Sequence, residues 1–260
     1  MAKKDHLDPD KIKTRTKHIG WKVLVYKSTS STNDIAAEYA KNKKNHGFAV
    51  FAEEQTAGRG RAGNKWLTGK ADSILCSIVL TQTKCNPDLL SLAAAVAVAE
   101  ALGQPAGKPV KVKWPNDIIL NKKKVAGIML ESKTYKDRTL YILGIGINCH
   151  QKKTSFPKEL QKTATSIDME TRITTDRISL AKRLLTSLDQ WLEIAEKKSK
   201  EVTRQWRKLS IQLGHRVTLS YNGKKFAGNC VGIDPRRGLI LQLDSGSRRM
   251  FHAAQSTVVK

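Results

Sequence analysis

Four strand-like segments follow one another between Val110 and Ile147: Val110 to Lys113, Ile118 to Leu120, Val125 to Leu130 and Leu140 to Ile147. The gaps are turns, with Asn121-Lys122-Lys123-Lys124 the tight one, and short turns join antiparallel neighbours because parallel strands need a long crossover. The run predicts an α/β (α+β) chain with a mixed, largely antiparallel sheet and packed helices. Trp21 to Tyr26 alternates as a strand would, and Phe48 to Ala52 is a second, apolar one upstream. Ser31, Thr32 and Asn33 are N-cap residues for a helix from Asp34 to Lys43. Asn86-Pro87-Asp88 opens another, apolar on nearly every side and closed by Gly103. Helical periodicity returns from Asp176 to about Trp206, as one helix or two.

From Gly214 the texture changes to short strands and turn residues, among them the Asn222-Gly223 hairpin signal, Asp234-Pro235 and Asp244-Ser245-Gly246. About four strands in so short a stretch predict a small SH3-like β-barrel. The expected division is a main domain over residues 1–210 and a small barrel over 211–260, packed on it.

Lysine and arginine outnumber acids 47 to 23, a formal charge of +24 spread along the whole chain. That field favours anionic partners: nucleic acid, nucleotide phosphates or an acidic protein. A general bias toward lysine accounts for it equally well. Cys76, Cys85, Cys149 and Cys230 lack paired spacing and read as isolated reduced thiols. The longest apolar run, Leu89 to Ala99, is too short to span a bilayer, and no signal peptide is visible. A cytoplasmic protein with no membrane partner is expected.

Gly58-Arg59-Gly60-Arg61-Ala62-Gly63 has the G-x-G-x-x-G spacing of a dinucleotide loop, but no helical periodicity follows and the next acid, Asp72, comes too soon. Two arginines among glycines suit another task, holding phosphate or carboxylate oxygens in a loop able to close on a ligand. Other polar islands sit at strand ends: Ser31-Thr32-Asn33, Gln55, Lys113-Trp114-Pro115-Asn116-Asp117 with Lys124-Val125-Ala126-Gly127, and Gly144-Ile145-Gly146-Ile147-Asn148. Read one at a time, these are a cap, a turn and a kinked strand.

Taken in order, Ser-Thr-Asn, Gln-x-x-Gly-Arg-Gly-Arg-x-Gly-x-x-Trp, Lys-Trp-Pro-Asn-Asp, Lys-x-Ala-Gly-Ile and Gly-x-Gly-Ile-Asn resemble biotin protein ligase, in a monofunctional form. The resemblance runs over residues 31 to 148, and the tail from Gly214 resembles that family's small C-terminal domain. It implies a ligase that activates biotin with Mg²⁺ and ATP to biotinyl-5′-AMP, releasing pyrophosphate, then transfers biotin to a lysine of a biotin carboxyl carrier protein. The substrates bring their own nucleophiles, so the protein must supply placed positive charge and alignment.

Carried over residue by residue, the resemblance implies that Lys124, Arg59 and Arg61 supply this charge, with Lys124 nearest the reacting carboxylate and α-phosphate. Ser31, Thr32, Asn33 and Gln55 are implied at the biotin end, together with Arg59, Gly60, Arg61 and Lys124. Gly127, Gly144 and Gly146 would let the strands approach a flat ligand. The adenylate falls to Arg59, Arg61, Trp66, Asn116, Asp117, Lys124 and Asn148, and Asp117 is the oxygen ligand for Mg²⁺. Trp114 is an alternative to Trp66 beside the adenylate.

Ala62 and Asn64 stand where the family often has basic residues, making the loop less positive, and Ala253-Ala254-Gln255 lacks a usual glycine. Only 30 residues precede Ser31, too few for the DNA-binding domain of bifunctional relatives, so no specific DNA partner is expected. A homodimer stays open. The rival readings are lipoate or octanoate transfer on the same fold, and nucleic-acid binding on charge alone.

Overall fold

The computed structural model describes residues 5–259. The strands β1 (Val23–Tyr26), β2 (Ala49–Ala52), β3 (Ser73–Leu80), β4 (Val110–Lys113), β5 (Asp117–Leu120), β6 (Lys123–Tyr135) and β7 (Arg138–Asn148) form one sheet. Its order is β1-β2-β3-β7-β6-β5-β4. Only β1 and β2 pair in parallel; every other pairing is antiparallel, as the short connections require.

Six helices accompany it among the described residues: α1 (Pro9–Ile12), α2 (Thr32–Ala40), α3 (Pro87–Ala106), α4 (Ile167–Thr171), α5 (Arg177–Lys197) and α6 (Ser199–Leu209). Along β3, Ile74, Cys76, Ile78 and Leu80 face the main core with α3 and α5, while Val79 faces a second cluster built on Ala36 and Ala40 of α2. In β7, Leu143, Ile145 and Ile147 likewise face the main core, and Ile142 the α2 side. The even–odd period of a strand places Leu75, Ser77, Gly144 and Gly146 on that same second face, beyond the reach of α2. There the functional cleft begins.

Several boundaries depart from the sequence reading. α3 does not close at Gly103; it runs to Ala106 and ends on Gly107, whose φ of +54° supplies the left-handed cap. At 20 residues it is long and apolar enough to cross a membrane, yet most of it is buried inside this fold. The Asn121–Lys124 turn is shorter than expected. Only Asn121 and Lys122 take positive φ, and Lys123 and Lys124 already belong to β6. The long C-terminal periodicity is two helices, broken at Lys198.

The C-terminal unit holds five strands rather than about four: β8 (Arg216–Tyr221), β9 (Lys224–Asp234), β10 (Gly238–Leu243), β11 (Arg248–Phe251) and β12 (Ser256–Val258). Their order is β11-β10-β9-β8-β12, all antiparallel. Tyr221 of β8 and Phe251 of β11 stack edge-on with ring centroids 5.4 Å apart. In a flat sheet those strands would lie about 14 Å apart, so this sheet curls on itself as a barrel does. Leu219, Cys230, Leu239, Leu241 and Phe251 share the core cluster of the main sheet. The linker helps fix the two units together, Ile211 donating its N–H to Val112 O on the free edge of β4 at 3.0 Å.

Candidate functional site

The cleft has a volume of about 770 Å³, and its floor is a register product. Leu75 of β3 lies opposite Gly146 of β7, Gly146 opposite Gly127 of β6, and Gly127 opposite Asp117 of β5. Two glycines thus lie side by side in mid-sheet, with a carboxylate ending the row. The next row is Ser77, Gly144 and Met129.

A Cβ on Gly146 would come within 2.4 Å of the Trp66 indole, and one on Gly144 within 2.4 Å of Asn33 Oδ1. The bare backbone therefore makes room for these two side chains, which form the cleft wall. Trp66 Nε1 is buried without a hydrogen-bond partner. Trp114, the alternative aromatic, is only 1% exposed and belongs to the core. Its N–H donates to Gln212 Oε1 at 2.5 Å and its carbonyl accepts from Gln212 Nε2 at 3.2 Å. One buried carboxamide thereby fixes the turn carrying Asn116 and Asp117.

Lys124 owes its place to a bulge. Opposite the successive residues Ile118 and Ile119 of β5 stand Ala126 and Lys124, so Val125 is the extra residue. A bulge shifts the alternation by one, which brings Lys124 onto the face of Gly127 although three positions separate them. Its Nζ is 2.5 Å from Asp117 Oδ1 and 5.7 Å from the Trp66 ring centroid. Its backbone is held from the other side by Thr163 O and the N–H of Thr165.

The amino end of α2 points into the same space. Ser31 caps it, accepting from Asn33 N–H at 3.3 Å. Gln55 Oε1 accepts from Thr32 N–H at 2.7 Å and Thr32 Oγ1 at 2.9 Å. Ser77 Oγ donates to Asn33 Oδ1 at 2.6 Å, and Asn33 Nδ2 donates to Glu131 Oε1 at 2.9 Å. Neighbours on both sides thus dictate the orientation of the Asn33 amide. Asn148 is similarly committed, donating to Thr165 O at 2.9 Å and accepting from Gln151 at 3.3 Å.

The arginine loop is a tight hairpin. Gly60 N–H donates to Asn64 O at 2.7 Å and Trp66 N–H to Gly58 O at 2.9 Å, with Arg59 bridged to Lys65 between them. Gly58 is needed for close approach, since a Cβ there would lie 2.6 Å from Trp66 O. The left-handed residues are Ala62 (φ +53°) and Gly63 (φ +76°), so the turn imposes on an alanine the conformation glycine usually takes.

The two arginines part company. Arg59 forks onto Asp34, 3.0 and 2.6 Å, with Glu131 at 3.5 Å, and the guanidinium holds the Asp34 carboxyl below its ordinary pKa. Arg61 donates to Asn116 Oδ1 at 3.2 Å, to Ser256 O at 3.3 Å and to Ala253 O, all neutral oxygens. Burial pulls its guanidinium below the ordinary value, against the raising influence of Asp117 and Asp88.

Every residue assigned from the sequence to biotin, adenylate or metal lines the cleft, together with Lys65, Lys113 and Lys122, so that six cationic side chains face two carboxylates, Asp117 and Glu159. Asp34, Ser77, Glu131 and Gln212 were not singled out from the sequence. Glu131 carried one legible signal: it lies four positions beyond Gly127 in β6 and so on the same face. The cysteines take no part. All four are buried, and burial pushes Cys149, which follows Asn148, up to about 12.

A deep, cation-lined cleft on a mixed sheet with a small curled sheet beside it defines a class, and comparison with known proteins identifies it. The model of the biotin/lipoate A/B protein ligase family matches residues 25–148, which include the glycine floor and the arginine loop. The biotin–[acetyl-CoA-carboxylase] ligase of Mycobacterium tuberculosis is 31% identical over 92% of this chain and 90% of its own length. The bifunctional ligase/repressor BirA of Bacillus subtilis is 30% identical over 92% of this chain and 75% of its own. Among solved structures, the biotin protein ligase of Aquifex aeolicus in complex with biotin and ATP superposes with a TM-score of 0.79 at 28% identity, covering 92% of this chain and 98% of that one. The chain belongs to the biotin protein ligase family.

Proposed function

We propose that this protein joins biotin to a carrier protein in two steps. In the first, a biotin carboxylate oxygen attacks the α-phosphorus of ATP, the bond to the β-phosphate oxygen breaks, and biotinyl-5′-AMP and pyrophosphate form. In the second, the ε-amine of a carrier lysine attacks the acyl carbon, the bond to AMP breaks, and the amine loses its proton. The observation that carries this reading is the Gly146–Gly127–Asp117 row with Lys124 and Arg61 at its end. Its glycines seat the Trp66 indole that walls the cleft, and its end carries fixed cations where phosphoryl charge accumulates. The complex of the related A. aeolicus ligase with biotin and ATP supports the choice of substrates.

Lys124 sits at the junction, its ammonium aligned by Asp117 and directed by the bulge. Arg61 and the lysines of the rim draw in the phosphates. Ser31, Thr32, Asn33 and Gln55 define the other end, where the uncharged head of biotin needs donors and acceptors in fixed directions. Among the described residues no group of three His, Cys, Asp or Glu side chains is arranged to hold a metal ion, and Asp117 is already paired with Lys124. This donor set fits Mg²⁺ held chiefly by nucleotide phosphates, with Asp117 giving one oxygen; the ion would add positive charge beside them.

Incubation with Mg-ATP and either biotin or lipoate, followed by pyrophosphate release, tests the assignment. Release with biotin and labelling of a single carrier lysine is expected. Release with lipoate and none with biotin would overturn it in favour of the other branch of the family.

A further inference from the structure

Ala253 occupies a position that the reaction scheme does not use. Its N–H donates to Asp88 Oδ1 at 3.4 Å, while its carbonyl accepts from Arg61. One residue of the turn between β11 and β12 therefore joins the first turn of α3 to the arginine loop. His252 beside it strengthens the tie, with Nδ1 3.0 Å from Asp88 Oδ2. The turn is closed internally by Ser256 Oγ donating to His252 O at 2.7 Å and braced by Tyr221 Oη donating to Gln255 Oε1 at 2.7 Å.

The acceptors distinguish Arg61 from its neighbour. Carboxylates occupy the Arg59 fork, whereas Arg61 is fixed by three oxygens that carry no net charge. Neutral oxygens orient a guanidinium without closing it in an ion pair, which suits a group that must meet an anion.

We infer that the His252–Ser256 turn is a positioning element of the ligase site: it presents Arg61 to the acyl-adenylate, and its tie to Asp88 keeps it there. This inference deepens the ligase reading and rests on it for the identity of the anion. The small sheet then sets how long the intermediate is retained.

The test uses His252→Ala and Asp88→Asn, each alone and combined with Arg61→Gly. His252 is 46% exposed at its side chain, so its loss leaves the core intact. Two quantities are read: trypsin cleavage of the Arg61–Ala62 bond in the protein alone, and free biotinyl-AMP per pyrophosphate with biotin and Mg-ATP. Each single variant should raise both by about fivefold, the worth of one ordinary hydrogen bond. Adenylate release should not rise further when Arg61 is already glycine, a non-additivity that general loosening of the fold would not produce. Unchanged cleavage and release, or an equal rise in the Arg61→Gly background, overturns the inference. If the unaltered protein releases no pyrophosphate with biotin, the ligase reading fails, and cleavage at Arg61 still decides whether the turn holds that side chain.

Discussion

Lys124 is the residue on which two independent devices converge, a bulge that turns it onto the glycine face and a carboxylate 2.5 Å away that fixes its tip. A preorganised charge of this kind contributes most where charge develops in the transition state. Lys124→Ala should therefore slow adenylate formation by about 10²–10³ while binding of biotin changes little. Rapid-quench measurement of pyrophosphate release gives the answer, and a near-normal rate would remove Lys124 from the chemistry. Ala62 poses the opposite question, of tolerance. Its φ of +53° costs an alanine something that a β-branched residue cannot meet at all. Ala62→Val should destabilise the hairpin by roughly 1–2 kcal/mol. The result would be faster proteolysis within residues 58–66; unchanged protection would mean that the turn adopts another conformation in solution.

The glycine rows act at the level of the strand. Gly144→Ala drives a methyl into Asn33 Oδ1, and the displaced amide loses Ser77 and Glu131 together. An unsatisfied buried polar pair costs about 1–3 kcal/mol, so KM for biotin should rise on the order of tenfold or more with a smaller change in kcat. A change confined to kcat would place Asn33 away from the ground-state ligand. The same strands show what was legible in the chain. Gln55, Trp114-Pro115-Asn116-Asp117 and Lys124 announce themselves because each motif is continuous. Ser77 hides inside the apolar run Ile74–Leu80, where buried strands show no alternation, and Glu131 matters only through partners 98 and 72 residues away. Gln212 has the same character, since its two bonds to Trp114 span 98 residues. Local pattern located the turn at Asn121 but misplaced its end, because Lys123 and Lys124 carry no mark of the strand that tertiary pairing gives them.

Across the whole molecule, the segment before β1 is fastened to α5 by charge. Asp189 accepts from the N–H groups of Lys17, His18 and Ile19, and the fully buried Arg177 donates to Asp5, Glu53 and Ser73 O. Glu53 and Ser73 are the two roots of the arginine loop, so this network also sets the base from which the loop rises.

His150 closes the network and makes it sensitive to pH. Its Nδ1 lies 2.8 Å from Asp168 and its Nε2 3.6 Å from Asp5, while Arg177 and Thr175 engage the same two carboxylates. The bonds to Asp168 and Asp5 raise its pKa from 6.5 to about 9. A pKa raised on folding stabilises the native state fully below the unfolded value, and that contribution is lost as pH rises toward the folded one. Between pH 6.5 and about 9 the native protein holds up to one more proton than the unfolded chain at this site. Stability should thus fall across that window with a slope from this group of up to about 1.4 kcal/mol per pH unit. His150→Gln keeps a side chain able to hydrogen-bond and removes the titration. Urea unfolding of both proteins at intervals from pH 6 to pH 10 should show the variant less stable at the acid end and the two curves converging at the alkaline end. Parallel curves would mean that His150 holds its proton no more tightly in the folded protein than in the unfolded chain, so that its carboxylate partners do not couple the network to pH.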